Sequence, residues 1–137
     1  MSAVLDPRSA YRRDSVMTAT PAALLTMLYD RLLLDLQWAE SAQQESDWAV
    51  AGTRLLHAQD IVTELIGSLK PELWTGGPAL LAVYVYVLPL LRAANVERSV
   101  DKTREAIQLL DPLRQAWREA AETASTAAPT ATLSAVG

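Results

Sequence analysis

The chain of 137 residues has no cysteine and no phenylalanine, five glycines and a single histidine. Without cysteine, neither a disulfide nor a thiolate metal site can form. The one histidine, His57, has Arg54 and Asp60 three residues to either side. The Glu-x-x-His pairs that hold metals inside helical bundles are therefore missing, and His57 reads as a partly exposed helix residue. Neither a metal nor a cofactor is expected. A phosphate loop is lacking too, because Gly76-Gly77 has no preceding strand and no lysine beside it. Serine, histidine and aspartate occur in no hydrolase arrangement. The pairs Asp30/Asp35 and Asp60/Glu64 read as solvated helix faces rather than catalytic carboxylates. The chain is not expected to be an enzyme.

Positive charge is also in short supply. The formal net charge is −4, with an isoelectric point near 4.9. No basic patch stands out, so nothing points to nucleic acid. The first residues carry charges of both signs and no apolar run, unlike a signal peptide. The most apolar stretch, Pro78 to Leu91, is shorter than the ~20 residues of a membrane span. A buried core helix, no membrane insertion and a cytosolic location are expected.

What is abundant is alanine and leucine at helical spacing. Thr20 can cap a helix, and Pro21 suits its first position, where no backbone N–H is needed. Leu25, Leu28, Leu32, Leu36 and Ala39 form one apolar row. A second row, Leu24, Met27, Leu34 and Trp38, lies beside it, with Arg31 in the gap. A surface helix needs one apolar stripe of a little over ~100°. This helix has more, so it is either central or covered by something outside the chain. Tyr29 and Trp38 lie off the main row, with core and interface both open for them.

The second helix follows a break at Ser46, with Asp47 as its cap. Trp48, Ala51, Leu55, Ala58, Val62, Leu65 and Leu69 alternate spacings of three and four, as in a bundle seam. Small Ala51 and Ala58 let a neighbour approach closely, while Ile61 and Ile66 fall off the seam. Lys70-Pro71 stops this helix. Pro78 opens a third, with Leu80, Leu81, Tyr84, Val87, Leu88 and Leu91 in a row and Pro89 inside. Asn95 suits its end. Ser99 caps a fourth helix, whose seam is Thr103, Ala106, Leu110, Leu113, Trp117 and Ala120, with Pro112 inside. Trp48 and Trp117 are expected in the core.

Four helices on short loops imply an all-α, antiparallel four-helix bundle. Its expected limits are residues 20–122. Before it, residues 1–19 read as an extended arm, either a loose terminus or one that docks Tyr11 on the bundle. After it, residues 123–137 have no helical period and read as a flexible tail.

Several strings, taken in order, resemble the flagellar secretion chaperone family FliS. They are Tyr11, V-x-T-A-T-P at Val16 to Pro21, LLTMLYD at Leu24 to Asp30 and AQDIVTELIGSL at Ala58 to Leu69. V-Y-V-Y at Val83 to Tyr86, Ala94-Asn95 and the fourth-helix string from Glu105 to Trp117 complete the set. The chain departs from the family pattern at Arg31, at Leu88 to Leu90 and in the loop holding Trp74 and Pro78. The resemblance implies a cytosolic export chaperone. Such a protein binds the C-terminal segment of flagellin, prevents premature polymerisation and passes it to the flagellar type III export gate. The residues expected to bind flagellin are Tyr11, Leu24, Met27, Leu28, Tyr29, Leu34, Trp38, Ile61, Glu64 and Ile66. A self-associating structural or adaptor bundle is the alternative, and the oligomeric state is left open.

Overall fold

The computed structural model describes residues 21–73 and 75–136, with side chains described for 23–73 and 75–123. The expected arm, Tyr11 and Trp74 lie outside these residues. Among the described residues there are four α-helices, α1 Pro21–Gln44, α2 Trp48–Ser68, α3 Gly77–Val96 and α4 Val100–Val136, with a 3-10 turn at Pro71–Leu73. No strand occurs among them. The chain divides into two compact units, Leu28–Arg114 and Met1–Met27 with Gln115–Gly137.

The unit Leu28–Arg114 is the helical bundle. α2 buries Ala51, Leu55, Ala58, Val62 and Leu65, the seam read from its spacing. Trp48 and Leu69, at its ends, are half-buried. α3 buries Leu80, Tyr84, Val87, Leu91 and Ala94, and α4 contributes Thr103, Ala106 and Leu110. The small Ala51 and Ala58 let α2 lie close to α3. A Cβ added at Gly52 would already stand 3.3 Å from Asn95 Oδ1.

The core side of α1 differs from the expected row. Tyr29, Leu32, Leu33, Leu36 and Ala39 are buried, while Leu28 is only half-buried. The core line is rotated toward Tyr29 because its hydroxyl pairs with that of Tyr84 inside the bundle. The two rings sit 6.5 Å apart at 46°.

Helix ends follow the expected capping chemistry. Asp47 accepts a hydrogen bond from the Val50 N–H at 3.3 Å, and Ser99 Oγ accepts from Lys102 N–H at 3.2 Å. α1 and α3 end alike, with Ser46 at φ 58° and Arg98 at φ 53°. The residues after them bond back five positions, Asp47 N to Ala42 O at 2.8 Å and Ser99 N to Ala94 O at 2.9 Å, closing otherwise unpaired carbonyls. α3 therefore runs past Asn95, the end expected from the sequence. Its first residue, Gly77, is buried against Pro71, and any Cβ there would overlap the Pro71 backbone.

Two expectations about length change. α3 is 20 residues long, and by length and composition alone it could cross a membrane. The apolar run is thus not too short for a span, as the stretch Pro78 to Leu91 had suggested. It is not the wholly buried core helix expected: it packs one row, Leu80, Tyr84, Val87, Leu91 and Ala94, into the bundle and leaves Val85, Tyr86 and Val96 exposed. α4 continues to Val136, where the sequence suggested a tail after Glu122. Alanine has the highest helix propensity, so helical backbone needs no seam residues to continue.

In the unit of Met1–Met27 and Gln115–Gly137, Thr26 Oγ1 donates to the Trp117 carbonyl at 3.4 Å. Trp117 is half-buried and Met27 is 62% exposed.

Candidate partner-binding surface

α1 and α2 meet at Asp35. This carboxylate is fully buried, contrary to the solvated face expected for it. Its position explains why. Asp35 stands three residues after Leu32 and four before Ala39, inside the core stripe of α1. A buried carboxylate needs partners, and α2 supplies them. Arg54 Nη1 donates to Asp35 Oδ1 at 3.4 Å, and His57 Nδ1 lies 4.0 Å from the same oxygen. From α1 itself, Arg31 Nε stands 3.4 Å from Oδ2. That oxygen makes no hydrogen bond. The Arg31 side chain is 48% exposed and that of Arg54 28%.

Above this pair lies Trp38, 41% exposed. The Arg54 guanidinium sits 4.1 Å from the indole centroid, and that of Arg31 5.8 Å away. Cations over an indole face are attracted by its quadrupole and restrict the ring. Leu34 and Ile61, on the outer sides of α1 and α2, are half-buried, as is Ile66, and Glu64 is exposed. Leu24 is half-buried in the other unit. Tyr29, placed among the binding residues by the resemblance, is instead wholly inside the core.

The sequence missed Asp35, Arg54 and His57. Arg54 and His57 are three residues apart, so they share one side of α2. That spacing, set against an aspartate in an apolar stripe, was the available signal.

A second junction closes the C-terminal end of α1. Buried Gln43 donates Nε2 to the Ala94 carbonyl at 3.2 Å and accepts from Thr103 Oγ1 at 2.7 Å. Ion pairs also join α1 to α4, Asp30 with Arg114 at 2.7 Å and Glu40 with Arg104 at 2.6 Å. Burial, then the bond to Tyr29, pushes the Tyr84 phenol upward. Tyr86, on the outside of α3, is raised by its bond to Glu105.

Elsewhere, an open apolar hollow of about 500 Å³ is lined by Pro71, Glu72, Pro78, Leu81, Ala82 and Val85. No titratable groups converge in it except the rim residue Glu72. Among the described residues, no cluster of histidine, aspartate and glutamate could hold a metal. What the described residues offer here is apolar surface and fixed charge.

The model of the flagellar protein FliS family matches residues 4–124. The chain belongs to the FliS family. A flagellar secretion chaperone FliS of Bacillus subtilis (strain 168) is 30% identical over 118 residues, covering 86% of this chain and 88% of the relative. The Escherichia coli (strain K12) FliS chaperone is 30% identical over 111 residues, covering 77% of this chain and 79% of its own length. A bacterial flagellar chaperone crystal structure is similar in fold, with a TM-score of 0.69 at 20% identity, covering 86% of this chain and 99% of that one. FliS membership and the four-helix architecture agree with the ordered strings read from the sequence.

Proposed function

We propose that the protein is a cytosolic, non-enzymatic chaperone that holds the C-terminal segment of flagellin, keeps it from polymerising and hands it to the flagellar export gate. The observation that carries this reading is the apolar surface left outside a complete core on α1. Within the unit Leu28–Arg114, Trp38 is 41% exposed and Leu34 is half-buried, beside a fully packed row. A flagellin end segment is amphipathic and needs an apolar cover when alone. Helices can lay their apolar faces on such a surface. Bare apolar patches otherwise promote aggregation. Leu24, Leu28, Ile61, Glu64 and Ile66 remain proposed contacts with Met27, Leu34 and Trp38.

Pull-down with flagellin lacking its last ~40 residues, about two helices of bundle length, tests the reading. Loss of capture supports it; equal capture of truncated and whole flagellin contradicts it. One observation favours self-association as a second reading. The outside of α3 exposes Val85 by 57% and Tyr86 by 52%, on a helix uncharged from Gly77 to Leu91. Ultracentrifugation showing a tight homodimer without affinity for flagellin would favour that reading.

A further inference from the structure

The charges around Trp38 do not balance at the surface. Asp35 is one negative group, fully buried, facing two guanidiniums that both reach solvent. Two positive charges less one negative leave a local excess of one, on a chain whose formal net charge is −4. Each guanidinium carries five N–H donors. Asp35 engages one edge of Arg54, and its Oδ2, next to Arg31 Nε, makes no hydrogen bond. Any helix that covers Trp38 must also take water from these guanidiniums. That desolvation is unfavourable unless the incoming surface supplies an acceptor. A carboxylate does so best, because charge-assisted bonds to arginine are the strong ones.

We infer that Arg54, held by Asp35, fixes Trp38 as a preformed anchor, and that the occupant is a flagellin end helix bearing a carboxylate beside the apolar side chain that packs on the indole. Arg54 is a positioning residue here: it acts through Trp38. The inference rests on the flagellin-binding reading, and its test keeps the two apart.

The experiment titrates the full chain with a peptide of the last ~40 residues of the flagellin from the same organism. Calorimetry is run at low and raised salt, with each variant's melting temperature alongside. If the unaltered chain fails to bind, the function proposed above is overturned, not this inference alone. With binding established, Trp38→Ala should weaken it about ten-fold or more, as loss of a buried aromatic anchor does. Trp38→Phe should restore most of it. Arg54→Lys keeps the charge but loses the planar fork, and should weaken binding several-fold. Arg31→Gln should weaken binding at low salt and flatten its salt dependence. Changing the peptide's glutamates and aspartates to amides should do the same to the unaltered chain. Binding by Trp38→Ala within two-fold of the unaltered chain overturns the inference. An unchanged salt dependence for both Arg31→Gln and the amide peptide overturns the carboxylate. Should Trp38→Ala not fold, Trp38→Phe and Arg54→Lys decide, and equal affinity in both, within two-fold, overturns the positioning role.

Discussion

Two buried polar junctions tie α1 into the bundle, Gln43 near its end and Asp35 near its middle. Around Gln43 the amide donates to Ala94 O and its oxygen accepts from Thr103. All three residues are buried, and the charged pairs nearby lie outside. Around Asp35 the carboxylate is just as buried, yet one oxygen lacks a hydrogen bond and the arginines are partly exposed. The first junction is finished within the chain. A neutral amide paired on both sides fixes the pitch of α1 against α3 and α4, at little desolvation cost. The second is left open at its outer edge. A charge in that position is weak evidence for stability, since removing two ions from water offsets most of their attraction. The contrast gives folding to one junction and leaves the other for the partner binding proposed above.

Substitutions can break or sharpen this contrast. The largest stability loss should come from neither junction. Leu55→Ala, in the centre of the α2 seam, should lower unfolding free energy by ~2–5 kcal/mol in urea melts, the usual cost of a truncated core leucine. Gln43→Ala comes next, at ~1–3 kcal/mol, because it leaves buried acceptor and donor groups without their partner. An effect below about half a unit, smaller than a typical net hydrogen bond, would remove the closed junction from the folding role.

Alkaline pH probes the core beside these junctions. Tyr84 titrates above its unfolded value, through burial and its bond to Tyr29. The neutral phenol is thus the form the fold holds. Its contribution is whole below pH ~10, the ordinary phenol value, and is lost progressively as pH rises above it. Melting temperature should be flat from neutral pH to about 9 and fall beyond 10. Tyr84→Phe should lessen that fall. The smallest effect belongs to the open junction. The double change Asp35→Leu with Arg54→Met should cost no stability, as replacing a whole ion pair by apolar groups often costs none. Arg54→Met alone should cost more than the double change, because the buried carboxylate loses the hydrogen bond that Arg54 donates to it.

Much of the fold could be read from residue spacing. Ala51 to Leu65 on α2 and Thr103 to Leu110 on α4 repeat at three and four, and Asp47 and Ser99 announced the helix starts. The candidate surface was less legible. Two parallel rows on α1 leave the core direction ambiguous by one residue. The hydroxyl pairing of Tyr29 with Tyr84, 55 positions away in sequence, decides it, and no local pattern encodes that. Asp35 was misread for a related reason. An aspartate among leucines is solvated unless a cation comes from another helix, and Arg54 is brought to it only by the packing of α2. Trp38 stood out as surplus apolar surface before its arginine neighbours were known.

The most direct test places a photoreactive benzoylphenylalanine at Trp38, and in a separate variant at Gln44 beside the closed junction, in the full chain mixed with whole flagellin. Crosslinks from position 38, mapped to the last ~40 residues of flagellin, with none from position 44, are the predicted result. Crosslinks from position 44 alone, or none from position 38 while flagellin is still bound, would contradict the account.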